Sequence, residues 1–298
     1  MNLLITGAFH CTNEQLEYIK SLGHNVTFMQ YEKDELPCDY SSVEGIIGNG
    51  IFLHHNIEKF TSLRFIQLTS AGFDRAPMEY IKDKGIRIFN ARGVYSIPMA
   101  EFALCGVLSL YKDFSGFYSK QKAHVWEKQR GLSELFGKTV LVVGAGSVGE
   151  ECAKRFSAMG CRVLGVDIVP NSSEYFEKIV HMDEIDNFLN IADIVILTLP
   201  LTENTRNMFN DDKFSVMKKG SVLINIARGA IVNTNDLIVA LSNNLKGAVL
   251  DVFETEPLDE DNPLWDMKNV ILTPHNSFVS DGNNYRLFNL VIDNLKNV

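Results

Sequence analysis

The chain has no apolar run long enough to cross a bilayer. Its longest, such as FALCGVLSLY from Phe102 to Tyr111, fall well short of the ~20 residues a spanning helix needs. Basic charge is not in excess either. Lys and Arg number 28 against 37 Asp and Glu, and the net charge of −9 argues against a surface built for nucleic acid or anionic lipid. A local basic pocket for an anionic substrate is still allowed. The five cysteines (Cys11, Cys38, Cys105, Cys152, Cys161) are odd in number and form no CxxC pair, so free thiols in a reducing cytoplasm are expected. The opening MNLLITGAFH lacks a basic n-region and a cleavage site of small residues, which points the same way. No repeat or low-complexity tract stands out. His54 and His55 with Asn56 lack matching ligands at metal spacing, so a solvated loop is expected there and no metal anywhere.

What is present is a dinucleotide fingerprint in mid-chain, LVVGAGSVG from Leu141 to Gly149. An apolar strand, Thr139 to Val143, leads into Gly144, Gly146 and Gly149, and a helical stretch follows to about Met159. The first glycine permits a tight turn, the second lets backbone approach a pyrophosphate, and the third lets helix pack on strand. A second strand, Arg162 to Val166, ends at Asp167, 18 residues beyond Gly149. That is close to the ~20-residue spacing at which a carboxylate meets the adenosine ribose. A carboxylate there repels a 2′-phosphate, and no Arg stands among Ile168, Val169 and Pro170, so NAD is expected rather than NADP.

The position of the motif leaves about 140 residues upstream for something else, and at ~150 residues per domain the length suggests two domains. Strands are expected at Asn2 to Ile5, Asn25 to Phe28, Gly45 to Ile47, Phe65 to Leu68 and Arg87 to Phe89. A helix from about Asn13 to Leu22 opens with a capping box, Thr12 with Gln15, and another runs from Pro77 to Lys84 with Gly85 as its stop. This alternation predicts a small α/β layer with a parallel sheet. From Pro98 to Lys112 the pattern is a helix apolar on nearly every side, which suits burial between domains or subunits. The segment Tyr118 to Gly137 reads as a polar and aromatic connection. After Asp167, strands at Asp193 to Leu197, Ser221 to Asn225, Gly247 to Leu250 and Val270 to Leu272 make six in a doubly wound sheet, with a helix at Asp211 to Met217. The last twenty residues read as a helix with Leu287, Val291 and Leu295 on one face.

Catalytic groups of such a sheet belong at the carboxyl ends of its strands. Arg228 follows SVLIN, Asp251 and Glu256 follow GAVL, and His275 follows NVILT. Reducing a 2-oxo acid needs a cation for the carboxylate, a proton donor near neutral pH and a hydride. Arginine suits the first because its planar fork pairs bidentately with a carboxylate. Histidine suits the second because its ordinary pKa lies near 6.5. NADH supplies the third.

These residues carry a resemblance. LPLTENTRNMF (Leu199 to Phe209), MKKGSVLINIARGAIV (Met217 to Val232), LDVFETEPL (Leu250 to Leu258) and NVILTPH (Asn269 to His275) resemble, in order, segments of the D-isomer-specific 2-hydroxyacid dehydrogenases. LRFIQLTSAGFD (Leu63 to Asp74) and NARGVYSIPMAEFAL (Asn90 to Leu104) resemble that family's substrate-domain loop and linking helix. The resemblance spans roughly Gly45 to Asn276. It implies a Rossmann cofactor domain, residues 96–278, inserted into a smaller flavodoxin-like α/β substrate domain, residues 1–95 and 279–298. Arg228 would hold the substrate carboxylate and polarise the 2-oxo group. His275 would exchange the proton of the carbonyl oxygen, and Glu256 would orient the ring and favour its imidazolium. Backbone N–H groups around Ala71 and Gly72 would bind the other carboxylate oxygen. Asp251 would contact the nicotinamide carboxamide, and Ser147 and Val148 would place backbone on the pyrophosphate. Leu199, Pro200, Thr205 and Ala227 would line the remaining cofactor surface. Hinges are implied near Val94 to Pro98 and Ser277 to Ser280, and a homodimer through the Pro98–Lys112 helix. The alternative from another class is a dinucleotide-sensing, corepressor-like binding protein on the same fold. A formate dehydrogenase is disfavoured by Glu256, because that branch lacks a glutamate there.

Overall fold

Thr12 starts the first helix by the mechanism its sequence predicts. Its hydroxyl accepts from the Gln15 N–H at 3.2 Å while the Gln15 side chain accepts from the Thr12 N–H at 2.9 Å. The helix, α1 (Asn13–Ser21), joins β1 (Asn2–Thr6) to β2 (Asn25–Met29). The chain continues through β3 (Gly45–Gly48), β4 (Phe65–Leu68), α2 (Met78–Asp83) and β5 (Arg87–Phe89). All five strands are parallel, in the order β2-β1-β3-β4-β5. The computed structural model describes residues 1–297. It divides into two units, Met1–Tyr95 with the segment from Ser280 onward, and Ser96–Val279.

The second unit opens with α3 (Ser96–Tyr111) and α4 (Phe114–Lys122). The fingerprint follows as β6 (Thr139–Val143), α5 (Ser147–Ala158) and β7 (Arg162–Asp167). Then come β8 (Lys178–His181), α6 (Ile185–Leu189), β9 (Ile194–Leu197), α7 (Asp211–Val216) and β10 (Val222–Asn225). The unit closes with α8 (Thr234–Asn243), β11 (Gly247–Leu250) and β12 (Val270–Leu272). Its parallel sheet runs β12-β11-β10-β9-β6-β7-β8. Strand order reverses between β9 and β6, which places the fingerprint at the switch point of a doubly wound sheet. The central strands are buried on both faces. Every residue of Ile194–Leu197 is fully buried, which is why these strands read as continuous apolar runs. Each such side chain contributes roughly 1.5–3 kcal/mol. The chain then returns to the first unit as α9 (Asn283–Lys296), which buries Leu287, Val291, Ile292 and Leu295 against Leu3, Ile5 and Phe65.

Three expectations need correction. The second sheet has seven strands rather than six, because Lys178–His181 adds an edge strand to β7. Its sequence, KIVH, is short and exposed at both ends, so neither length nor alternation announces it. The segment beginning at Tyr118 is helical through Lys122, started by Asp113, whose carboxylate accepts from the Gly116 N–H at 3.2 Å. His55 is not solvated. It is 8% exposed, with its ring between the Tyr40 hydroxyl and the Glu32 carbonyl oxygen, at 2.8 Å from each. Among the described residues no helix is long and apolar enough to cross a membrane, and no cluster of His, Cys, Asp and Glu has the arrangement of a metal site.

Candidate active site

The fingerprint loop has the shape a dinucleotide needs. Gly144 sits at φ 101° beside the Leu199 backbone, where a Cβ would lie 2.8 Å from the Leu199 nitrogen. A Cβ at Gly149 would meet the Gly144 carbonyl oxygen at 2.1 Å, so the helix approaches the turn this closely only because residue 149 is glycine. Gly146 has nothing within 4 Å of its Cβ position, leaving room for a phosphate to approach the backbone. It is also the N-cap of α5, and no side chain caps that terminus. The first turn, with Ser147 and Val148, therefore presents the positive end of the helix dipole to an anion.

Asp167, at the end of β7, accepts from the Ala145 N–H at 2.7 Å and from the Val169 N–H at 3.0 Å. Its carboxylate thus abuts the glycine loop, where a ribose hydroxyl would meet it. The loop after β9 is organised by the Thr205 hydroxyl, which donates to the Pro200 carbonyl at 2.8 Å and accepts from the Thr202 N–H at 2.7 Å. Leu199 and Ala227 are buried, and the Ala227 N–H donates to Asn225 Oδ1 at 3.1 Å. Together these residues fit a dinucleotide.

Arg228, Glu256 and His275 follow β10, β11 and β12, three neighbouring strands. Glu256 and His275 are in direct contact, with Nδ1 of the ring 2.8 Å from Oε2 of the carboxylate. Oε1 of Glu256 accepts from the Phe253 N–H at 3.0 Å, which fixes the carboxylate from its other side. With Nδ1 directed at a carboxylate, Nε2 is the nitrogen placed to carry a proton to and from a ligand. Both side chains are partly open, 41% and 37% exposed, as a proton-transfer pair must be. The Phe278 ring stands edge-on to the imidazole with centroids 6.0 Å apart.

Sequence reasoning missed what holds these groups. His275 adopts φ 51°, a left-handed conformation unusual for a side chain of this size. Asp251 sustains it. The resemblance assigns Asp251 to the nicotinamide carboxamide; in the structure it is fully buried, with both oxygens engaged by the histidine loop. Oδ1 accepts from the Thr273 hydroxyl and the Asn276 N–H, each at 2.7 Å, and Oδ2 from the Ser277 N–H at 2.9 Å. Its carbonyl oxygen accepts from the His275 N–H at 2.8 Å. Gly229 is a residue that the sequence reading did not name. A Cβ there would fall 1.8 Å from the Phe253 carbonyl carbon, so the Arg228 loop rests directly on the backbone that Glu256 holds. Arg228 itself is half-buried; its carbonyl accepts from Asn225 Nδ2 at 3.1 Å, and Nη1 donates to the Ala227 carbonyl at 2.8 Å. Nothing in a linear spacing announces this role of Asp251 or the contact of Gly229, since their partners lie more than twenty residues away.

Ala71 and Gly72 lie in the first unit, in the loop after β4. Their carbonyls accept from Asn90 Nδ2 at 2.6 Å and from the Ser70 hydroxyl at 3.0 Å. The Tyr95 hydroxyl donates to the Thr69 carbonyl at the base of the same loop.

Comparison with known proteins places this geometry in context. The family model of the D-isomer specific 2-hydroxyacid dehydrogenase NAD binding domain matches residues 104–277. The chain is 34% identical over 223 residues to a D-3-phosphoglycerate dehydrogenase of Methanocaldococcus jannaschii, covering 74% of this chain but 42% of that longer protein. It is 30% identical over 294 residues to a hydroxypyruvate reductase of Blautia hydrogenotrophica, 93% of this chain and 90% of that one. Among solved structures, a D-lactate dehydrogenase from Aquifex aeolicus complexed with NAD and lactic acid superposes with a TM-score of 0.79. That match is at 26% identity and covers 99% of this chain and 94% of that one. A D-isomer specific 2-hydroxyacid dehydrogenase from Xanthobacter autotrophicus Py2, solved with NADPH, superposes equally well: TM-score 0.79, 25% identity, 99% and 93% covered.

Proposed function

The chain belongs to the D-isomer specific 2-hydroxyacid dehydrogenase family of NAD-linked oxidoreductases, and from that premise we propose that it interconverts a small D-2-hydroxy acid and its 2-oxo acid. The observation that carries the proposal is the His275–Glu256 pair, 2.8 Å apart, on the sheet whose switch point carries an uncapped fingerprint helix. When bound, NADH supplies the hydride for the carbonyl carbon. His275 gives the carbonyl oxygen its proton during reduction and recovers it during oxidation. Glu256 fixes the ring so that Nε2 performs this exchange. Arg228 pairs with the substrate carboxylate and polarises the 2-oxo group. Ala71 and Gly72 are proposed as backbone donors to the other carboxylate oxygen. In this reading the Ser96–Val279 unit is the cofactor domain and the other unit the substrate domain.

NAD is preferred over NADP, because Asp167 would repel a 2′-phosphate and no arginine follows in Ile168–Pro170. A homodimer is supported by the surface after α3. Phe114, Tyr118, Trp126 and Phe136 are exposed there, Trp126 completely, and a second copy would cover them. The five free cysteines support a reducing, cytoplasmic setting.

The test is NADH oxidation with a panel of glyoxylate, hydroxypyruvate, pyruvate, phosphohydroxypyruvate and branched 2-oxo acids. Turnover of at least one is expected. Tight NADH binding with no turnover of any would replace this reading with that of a dinucleotide sensor.

A further inference from the structure

The first sheet has a switch point of its own, between β1 and β3. Ligands of open α/β sheets bind outside the carboxyl ends of the strands at such a reversal. Here a side chain of the protein takes that place. Glu32, three residues past the end of β2, points its carboxylate between the ends of β1 and β3. Oε1 accepts from the Thr6 hydroxyl at 2.8 Å and the Asn49 N–H at 2.6 Å, and Oε2 accepts from the Gly50 N–H at 2.7 Å. Consecutive backbone N–H groups converging on one anion form an anion-binding concavity, and hydrogen bonds to a charged acceptor are about twice as strong as neutral ones. The space exists because residue 48 is glycine; a Cβ there would lie 2.7 Å from Oε1.

Glu32 is itself anchored. Its carbonyl oxygen is bound by the buried His55 ring, whose other nitrogen meets the Tyr40 hydroxyl. In the loop it grips, Asn49 Oδ1 is buried without a hydrogen-bond partner. That loop follows β3 and is joined to the base of the Ala71–Gly72 loop after β4, where the Thr69 N–H donates to the Gly48 carbonyl at 2.9 Å. The Cβ position of Gly50 also lies 3.7 Å from the Arg75 side chain.

We propose that Glu32 is a positioning residue for substrate: its carboxylate fills the anion-binding concavity of the first sheet and thereby shapes the Asn49–Gly50 loop beside the Ala71–Gly72 loop proposed to bind the substrate carboxylate. The inference rests on the proposed function for the role of the Ala71–Gly72 loop. Its test uses Glu32→Ala and Glu32→Gln with the best substrate of the panel. In E32A, KM for the 2-oxo acid rises about tenfold, as sub-ångström misplacement of binding groups predicts, while kcat and the Kd of NADH stay near wild type. Millimolar formate, small enough to refill the concavity, lowers KM in E32A; in the wild type it only competes and raises KM. E32Q keeps the side chain's volume and one acceptor oxygen, and shows a smaller rise in the same direction. If E32A does not fold, the KM of E32Q decides alone. An unchanged substrate KM overturns the inference and leaves the proposed function standing, as does a rise that formate does not reverse and that weakens NADH equally. If the wild type turns over nothing, the proposed function fails. Hydrogen exchange then decides whether Glu32 holds the loop: the Asn49 and Gly50 amides should exchange at least tenfold faster in E32Q, and unchanged protection overturns the inference.

Discussion

The two sheets solve the same problem in opposite ways. Each is parallel, each reverses strand order once, and each carries backbone N–H groups beside the reversal. In the first sheet those donors converge on the chain's own Glu32. In the second, the corresponding helix begins at Gly146 with no side chain capping it, and the Asp167 carboxylate accepts from the Ala145 N–H of the preceding loop. One concavity is closed by a fixed internal anion and serves as scaffold. Under the proposed function the other receives the pyrophosphate of the cofactor. A shared reversal of strand order therefore does not imply shared use; what decides is whether a nearby side chain can reach the donors.

Substitutions in the second sheet should damage chemistry or cofactor choice, and after His275 the largest loss is expected at Arg228. Arg228→Ala should lower kcat/KM by about a hundredfold or more, in line with roughly 2–5 kcal/mol for truncating one partner of a desolvated charge pair. Inhibition by unreactive 2-oxo acid analogues should weaken with it while NADH affinity holds. Unchanged analogue affinity would remove Arg228 from the carboxylate. Asp251→Ala comes next. It strands the Thr273 hydroxyl and two backbone N–H groups, each unsatisfied donor costing ~1–3 kcal/mol. A lower thermal midpoint and a reduced kcat should appear together; a stability loss with unaltered kcat would show that the histidine loop does not depend on it. Substituting Asp167 by Ala should narrow the NAD-over-NADP preference about tenfold, equivalent to ~1.4 kcal/mol, and an unaltered ratio would separate this carboxylate from the ribose.

The smallest effect concerns stability alone and lies at the opposite, amino-terminal edge of the second sheet. Burial works against the Asp193 charge, yet hydrogen bonds from Lys218 at 2.7 Å and the Thr139 N–H at 2.9 Å outweigh it and hold the group below the ordinary carboxylate value. A group depressed in the folded state stabilises above its unfolded pKa, and that contribution disappears as pH falls through the folded value. Asp193→Asn should therefore cost about 1 kcal/mol near neutral pH. The gap to wild type should close in acid, as read from urea midpoints across pH. A gap independent of pH would assign the loss to packing.

Local rules made much of this legible. The Thr12–Gln15 box, the glycine spacing of 144, 146 and 149, and the acids that open α7 each act within a few residues, so the sequence displays them directly. Elements that depend on partners were hidden. Lys178–His181 is a strand only because β7 offers an open edge, and Asp113 caps α4 from a left-handed backbone that no propensity announces. At the site, residue types at strand ends indicated Arg228, Glu256 and His275. The carboxylate of Asp251 under the histidine loop and the contact of Gly229 with Phe253 join segments distant in sequence and follow only from the tertiary fold. Glu32 is the extreme case, an unremarkable acid in a polar loop whose three donors come from two other strands' ends.

Under the proposed function the second sheet separates cofactor binding, at the fingerprint, from proton transfer, at His275. Measuring NADH affinity and 2-oxo acid-dependent NADH oxidation side by side in His275→Ala tests it most directly. The account predicts wild-type NADH binding with turnover reduced roughly 10²–10⁴-fold. Turnover within a few-fold of wild type, at preserved NADH affinity, would contradict it.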